Sequence, residues 1–110
     1  MLHLSVAKDF TKTPGFRYKH QSPGTSGEEF RDKLLEPKYH QAVKENVKLE
    51  VNLDGTNGYL TSFVEEAFGG LQRKDRGRNI LDNIVVIANE EKHWVQDIKR
   101  YVDEARASAK

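Results

Sequence analysis

At 110 residues the chain has the size of one ordinary domain with a single core, 1–110. Charged residues make up 32% and hydrophobic ones 36%, and the apolar residues are patterned, which excludes a disordered polar tail; a formal charge of +1 supplies no global field for nucleic acid or an acidic membrane. The lack of cysteine excludes a disulfide framework, a thiolate nucleophile and a thiolate metal site.

The opening MLHLSVAKDF has neither a basic n-region nor a long apolar run, so no signal peptide or membrane span is expected and a cytoplasmic protein is the default. Leu2, Leu4 and Val6 alternate with His3 and Ser5, the period of a strand with one face inward. Thr13-Pro14-Gly15 has turn chemistry, and Phe16 and Tyr18 then alternate with Arg17 and Lys19. The first twenty residues are therefore expected to form a β-hairpin.

Ser22–Gly27 (SPGTSG) reads as a loop that opens a helix, with Thr25 and Glu28, or Ser26 and Glu29, at capping-box spacing. Phe30 and Leu34 share a face of that helix. Pro37 removes a backbone donor and crowds the preceding turn, predicting a kink or break near Glu36, with the helix resuming around Pro37 and running to about Glu45. Leu49, Val51 and Leu53 alternate with Lys48, Glu50, Asn52 and Asp54, a half-buried strand. Asp54-Gly55 and Asn57-Gly58 end it in a polar loop. Phe63, Val64, Ala67, Phe68 and Leu71 then trace one face of a second helix, for which Ser62 and Glu65 fit a capping box.

Ile84-Val85-Val86-Ile87-Ala88 is continuous and β-branched, the pattern of a central strand buried on both sides. Asn89 is placed to cap the last helix, with Glu90 and Glu91 in its first turn and Trp94, Ile98, Tyr101 and Ala105 on its apolar face. The closing Ala107–Lys110 is expected to fray. The order β-β-α-β-α-β-α predicts an α/β domain: a mixed four-stranded sheet, from the hairpin and two later strands, with helices mainly on one face. Phe63, Phe68, Leu71, Trp94, Ile98 and Val86 are the expected core.

A strand, a loop carrying hydroxyl residues and a helix that starts at them resembles the STAS fold of anti-sigma-factor antagonists. Pro14-Gly15-Phe16-Arg17-Tyr18, Ser26-Gly27-Glu28-Glu29-Phe30-Arg31, Leu53-Asp54-Gly55 and Ser62-Phe63-Val64-Glu65-Glu66-Ala67-Phe68-Gly69-Gly70-Leu71 resemble the bacterial STAS-like family of unknown function more closely, over nearly the whole domain. The resemblance implies a regulatory protein-interaction module, with a histidine-kinase-like ATPase as the partner class and a hydroxyl at the helix N-terminus as phospho-acceptor. The antagonist loop reads Asp-Ser followed by small residues. Here it reads Tyr59-Leu60-Thr61-Ser62-Phe63, which leaves the acceptor open between Thr61 and Ser62.

Asp54, Asn57, Thr61 and Ser62 are thus the candidate partner-binding or phospho-switch residues. Arg17, Thr25, Ser26 and Gly27 form a second candidate set: a helix N-terminus with a counter-charge could hold an anion or nucleotide, even enzymatically, although the lysine and glycine spacing of a P-loop is missing. His3, His20, His40 and His93 do not pair at metal-ligand spacing; His93 and Asp97, one turn apart, read as a surface pair. Arg73, Lys74, Arg76 and Arg78 lack the interleaved aromatics of a nucleic-acid surface and read as a solvated loop. With no recognisable nucleophile–base or metal set, neither an enzyme nor a cofactor is expected.

Overall fold

The computed structural model describes residues 1–108. Strand β1, Leu2–Ser5, turns directly into a one-turn helix, α1, Val6–Asp9, capped by the Ser5 hydroxyl. Gly27–Phe30, Arg31–Leu35 and Glu36–Glu45 run on as one rod, α2 (27–45). Strand β2, Leu49–Asn52, follows. Thr61–Val64, Glu65–Gly69 and Gly70–Lys74 form a second rod, α3 (61–74). A 3₁₀ turn at Ile80–Asp82, strand β3, Ile84–Ile87, and helix α4, His93–Ala107, complete the chain. The expected fraying of the last residues falls partly on 109–110, outside the described residues.

The sheet has three strands in the order β1-β2-β3, all parallel, so the expected mixed four-stranded sheet is corrected. No hairpin forms at the N-terminus. The carbonyls of Phe16 and Arg17 instead accept the Gly27 and Glu28 N–H groups at 3.0 Å each, which spends that stretch on closing the start of α2. Parallel pairing follows from the helix between each pair of strands.

Register explains the layers. Leu2, Leu49 and Ile84 align across the sheet, as do Leu4, Val51 and Val86. Leu4, Leu49, Val51 and Ile84 are buried beneath the helices, whereas His3 and Val85 on the opposite face are exposed. The strand-and-loop alternation of Leu49, Val51 and Leu53 is therefore as expected. Ile84–Ile87 is not a central strand: β3 is an edge, and Val86 is only partly buried.

Both rods contain a π-turn. In α2 the Glu36 N–H reaches back five residues to the Arg31 carbonyl. That wider turn sits immediately before Pro37, which has no N–H to give, so the helix passes through the proline instead of breaking. Glu45 is its last residue, followed by Asn46 in the left-handed region at φ 56°. In α3 the Gly70 N–H reaches the Glu65 carbonyl in the same way.

Phe63, Phe68, Leu71, Trp94 and Ile98 are all buried as expected. Phe68 is 1% exposed, so Phe68→Ala is expected to cost about 3–5 kcal/mol. A denaturant midpoint equal to that of the parent chain would contradict the packing.

Candidate functional site

The loop from Leu53 to Leu60 leaves the C-terminal end of β2 and enters α3. It is held from three sides. The Asp54 carboxylate accepts the N–H groups of Asn89 (3.2 Å) and Glu90 (2.9 Å), and the Glu90 carboxylate accepts the Gly55 N–H at 2.8 Å. The Tyr59 hydroxyl donates to the Leu53 carbonyl at 2.6 Å, and the Asn57 N–H donates to the Lys12 carbonyl at 2.9 Å. Gly55 and Gly58, at φ +97° and +116°, supply turns that other residues adopt only with strain. Burial, then the surrounding acidic side chains, hold the Tyr59 hydroxyl protonated well above its ordinary range.

Below the loop the aromatic rings interlock. Phe10 meets Phe30 at 5.6 Å, Phe30 meets Phe63 at 5.9 Å, Tyr59 meets Phe63 at 5.6 Å, and Tyr59 stands edge-on to Trp94 at 6.0 Å. These contacts tie the N-terminal segment, α2, α3 and α4 to one rigid base.

The segment 10–26 crosses this base as a strap. Its carbonyls close α2, and its Arg17 guanidinium donates to Glu65 at 2.5 Å and Glu66 at 3.0 Å. Arg31, from α2, donates to the other Glu66 oxygen, and Arg73 donates to Glu65 at 2.7 Å. Three arginines thus enclose two adjacent glutamates at the π-turn of α3. Arg31 and Glu66 are buried, which makes this pair costly to split. Burial works to raise the Glu65 pKa, but hydrogen bonds from Arg73 and Arg17 overcome it and hold the carboxylate below its usual range.

The strap and loop leave an open groove between them, lined by Pro14, Gly15, Phe16, Asn57, Gly58, Tyr59 and Leu60. Phe16 is 52% exposed and Leu60 45%, on either side of it. Thr61, at the first position of α3, is exposed beside Leu60, and Ser62 is half-buried.

Of the predicted switch residues, Asn57 and Thr61 lie at this exposed rim. Asp54 lies beneath it as the lock on the β3–α4 connection. Ser62 is not a cap: the N-cap position is Leu60, with no side-chain cap, because the extended backbone turns helical two residues earlier than the hydroxyl pattern implied. Glu65 is correspondingly drawn to the arginines and not back to the helix start. Nor does Asn89 cap α4, which begins at His93; Asn89 and Glu90 give their N–H groups to Asp54 instead.

At α2 the second of the two capping-box alternatives forms. The Ser26 hydroxyl accepts the Glu29 N–H at 3.1 Å and donates to its carboxylate at 2.9 Å, which also accepts the Gly24 N–H. The Gly27 and Glu28 N–H groups go to the strap, and Gly27 lies so close to α3 that a Cβ would stand 2.5 Å from the Phe63 carbonyl oxygen. Thr25 is half-buried behind Gly15. The N–H groups of this helix start are therefore engaged within the chain, and Arg17 faces two carboxylates.

The basic cluster is partly structural. Arg73 belongs to the glutamate cluster, and Lys74 pairs with Asp32 and Glu36 at 3.3 and 3.0 Å, while Arg76 and Arg78 are exposed. His93 and Asp97 form their surface pair at 2.8 Å. Sequence reasoning missed Leu60 and the Glu65–Glu66–Arg cluster. Its signal was Glu66 falling between Phe63 and Gly70 on an apolar helix face, where a carboxylate needs a cation.

The sequence profile of the STAS-like domains of unknown function matches residues 26–94. The chain belongs to that family. The STAS-like match takes in Ser26, both π-turns and the Asp54–Ser62 loop, and it ends at Trp94. The strap that carries Phe16 and Arg17 precedes it. No curated protein and no solved structure matched the chain. Among the described residues no helix is long and apolar enough to cross a membrane.

The glutamate cluster sets an acid limit. Because the folded Glu65 pKa lies below the ordinary value of 4.5, its contribution is complete above that pH and is lost as the pH falls through the folded value. Glu65→Gln is expected to melt below the parent chain at neutral pH, with the gap narrowing in acid. A gap that stays constant across thermal melts at both pH values would remove Glu65 from the acid response.

Proposed function

We propose that the chain is a regulatory protein-interaction domain that docks a partner across the Phe16–Leu60 groove. The observation that carries this reading is the exposure of a large aromatic and a leucine on a base fixed by ring contacts, the Asp54 lock and the arginine cluster. An apolar pair held rigid in solvent loses little entropy on binding, which favours recognition by preformed shape. The family resemblance points to a histidine-kinase-like ATPase as the partner class.

Thr61 is the residue best placed for control. A phosphoryl group there would add nearly two negative charges at a helix N-terminus, where the dipole tolerates them, and beside Leu60, where they would oppose docking. Ser62, half-buried one position further on, is the weaker acceptor. The anion-binding alternative draws no support from the start of α2, whose N–H groups are engaged.

The test is calorimetry against an ATPase of that class encoded beside this chain, alongside thermal melts. Phe16→Ala and Leu60→Ala are each expected to weaken binding about tenfold or more, the scale of a buried side chain at an interface core, with melting unchanged because neither leucine nor alanine caps the start of α3. Thr61→Asp should weaken it while Thr61→Ala does not, and Ser62→Ala should leave the melt unmoved because Ser62 caps nothing. Equal affinity for every variant would remove the groove from the mechanism.

A further inference from the structure

The edge strand β3 has the composition of an interior strand. Ile84, Val85, Val86 and Ile87 carry no charge, no proline and no bulge, the devices that keep an edge from pairing. The opposite edge, β1, alternates its leucines with His3 and Ser5 and turns at once into α1. Apolar surface flanks β3 on both faces. Val85 is 37% exposed on the outer face, and on the helix side Val95 of α4, 41% exposed, lines a groove with Leu81, Val86 and Lys99.

The backbone has a defined free side. The carbonyls of Asn83 and Ile87 accept the N–H groups of Leu49 and Leu53, at 2.7 and 2.8 Å. By the two-residue period Ile84 and Val86 turn their N–H and C=O groups the other way, toward the open edge.

We infer that β3 pairs with β3 of a second copy, antiparallel about a two-fold axis, to form a continuous six-stranded sheet. Two features select a second copy over another partner. The first is self-complementarity: residues on the same face must oppose each other, and centring the axis on Val86 sets Val85 of each copy against Ile87 of the other, with the two Val86–Val95 grooves joined on the helix side. The second is charge. The exposed charges that precede β3, Arg76, Arg78 and Asp82, are net positive, and those that follow it, Glu90, Glu91 and Lys92, are net negative, so antiparallel pairing brings the net basic end of one strand toward the net acidic end of the other. This edge lies apart from the Phe16–Leu60 groove, and the inference does not rest on the proposed function.

Sedimentation of the full chain over a range of concentrations tests it. The parent chain should reach a dimer limit. Val85→Lys, which sets two cations near the axis on the exposed face, should raise the dimer dissociation constant about 100-fold, and Val86→Pro, which removes an edge N–H, should act likewise. Hydrogen exchange of the parent chain needs no variant: the Ile84 and Val86 amides should gain protection as concentration rises, while the His3 amide, which faces the free edge of β1 because Leu2 donates inward to the Lys48 carbonyl, should not. A chain that stays monomeric throughout, assembly that grows past the dimer, or protection at β1 in place of β3 would each overturn the inference.

Discussion

Two adjacent glutamates on α3 decide where the rest of the chain can go. Glu65 and Glu66 sit at a π-turn, among residues that are otherwise apolar and buried, and each needs cations. Arg31 comes from α2, Arg73 from one end of α3 and Arg17 from the strap, so a single cluster joins three segments distant in sequence. A buried ion pair of this kind adds little net stability compared with a well-packed apolar pair, but removing one partner costs about 3–5 kcal/mol. Its effect is on register: α2 and α3 can slide only by stranding Arg31 and Glu66. The close approach of Gly27 to the Phe63 carbonyl fixes the same contact sterically.

From that contact the strap takes its path. Arg17 is anchored at its side chain, and its carbonyl accepts from α2, so Phe16 next to it cannot turn inward and remains in solvent. The Asp54 lock holds the facing loop with equal economy, using one carboxylate for two N–H groups of the β3–α4 connection. Most of the exposed large apolar side chains gather in two places. Phe16 and Leu60 flank the groove at the start of α3, and Val85 and Val95 lie on and beside β3. The first surface presents shaped side chains and the second presents backbone, two different means of recognition on one small domain.

Local pattern made much of this legible. The alternation of Leu49, Val51 and Leu53, the Ser26–Glu29 box, and the apolar stripes of α3 and α4 are each set within a few residues, and each appears as expected. The failures share a cause: they depend on partners far along the chain. Phe16 and Tyr18 alternate like a strand, yet their backbone is taken by the start of α2. Ser62 has a capping residue's neighbours, but Glu65 is claimed by Arg17 and Arg73. Ile84–Ile87 looks central because its composition is apolar on both faces, and nothing in a single sequence counts the strands beside it. Pro37 predicts a kink or break near Glu36, since periodicity does not reveal the π-turn that carries the helix through it. The site followed the same division. The hydroxyls at the start of α3 were visible in the sequence, while the apolar rim around them required Phe16 and Leu60 to be brought together in space.

The central claim is that the arginine–glutamate cluster holds the strap in place. Amide hydrogen exchange on an Arg17→Met variant tests it most directly, because methionine keeps the unbranched apolar stem and removes the charge. The Gly27 and Glu28 amides, which donate to the Phe16 and Arg17 carbonyls, should lose protection. The Val51 and Leu53 amides in the sheet should keep theirs. Unchanged protection at Gly27 and Glu28 would show that the strap is held without Arg17 and would contradict the account.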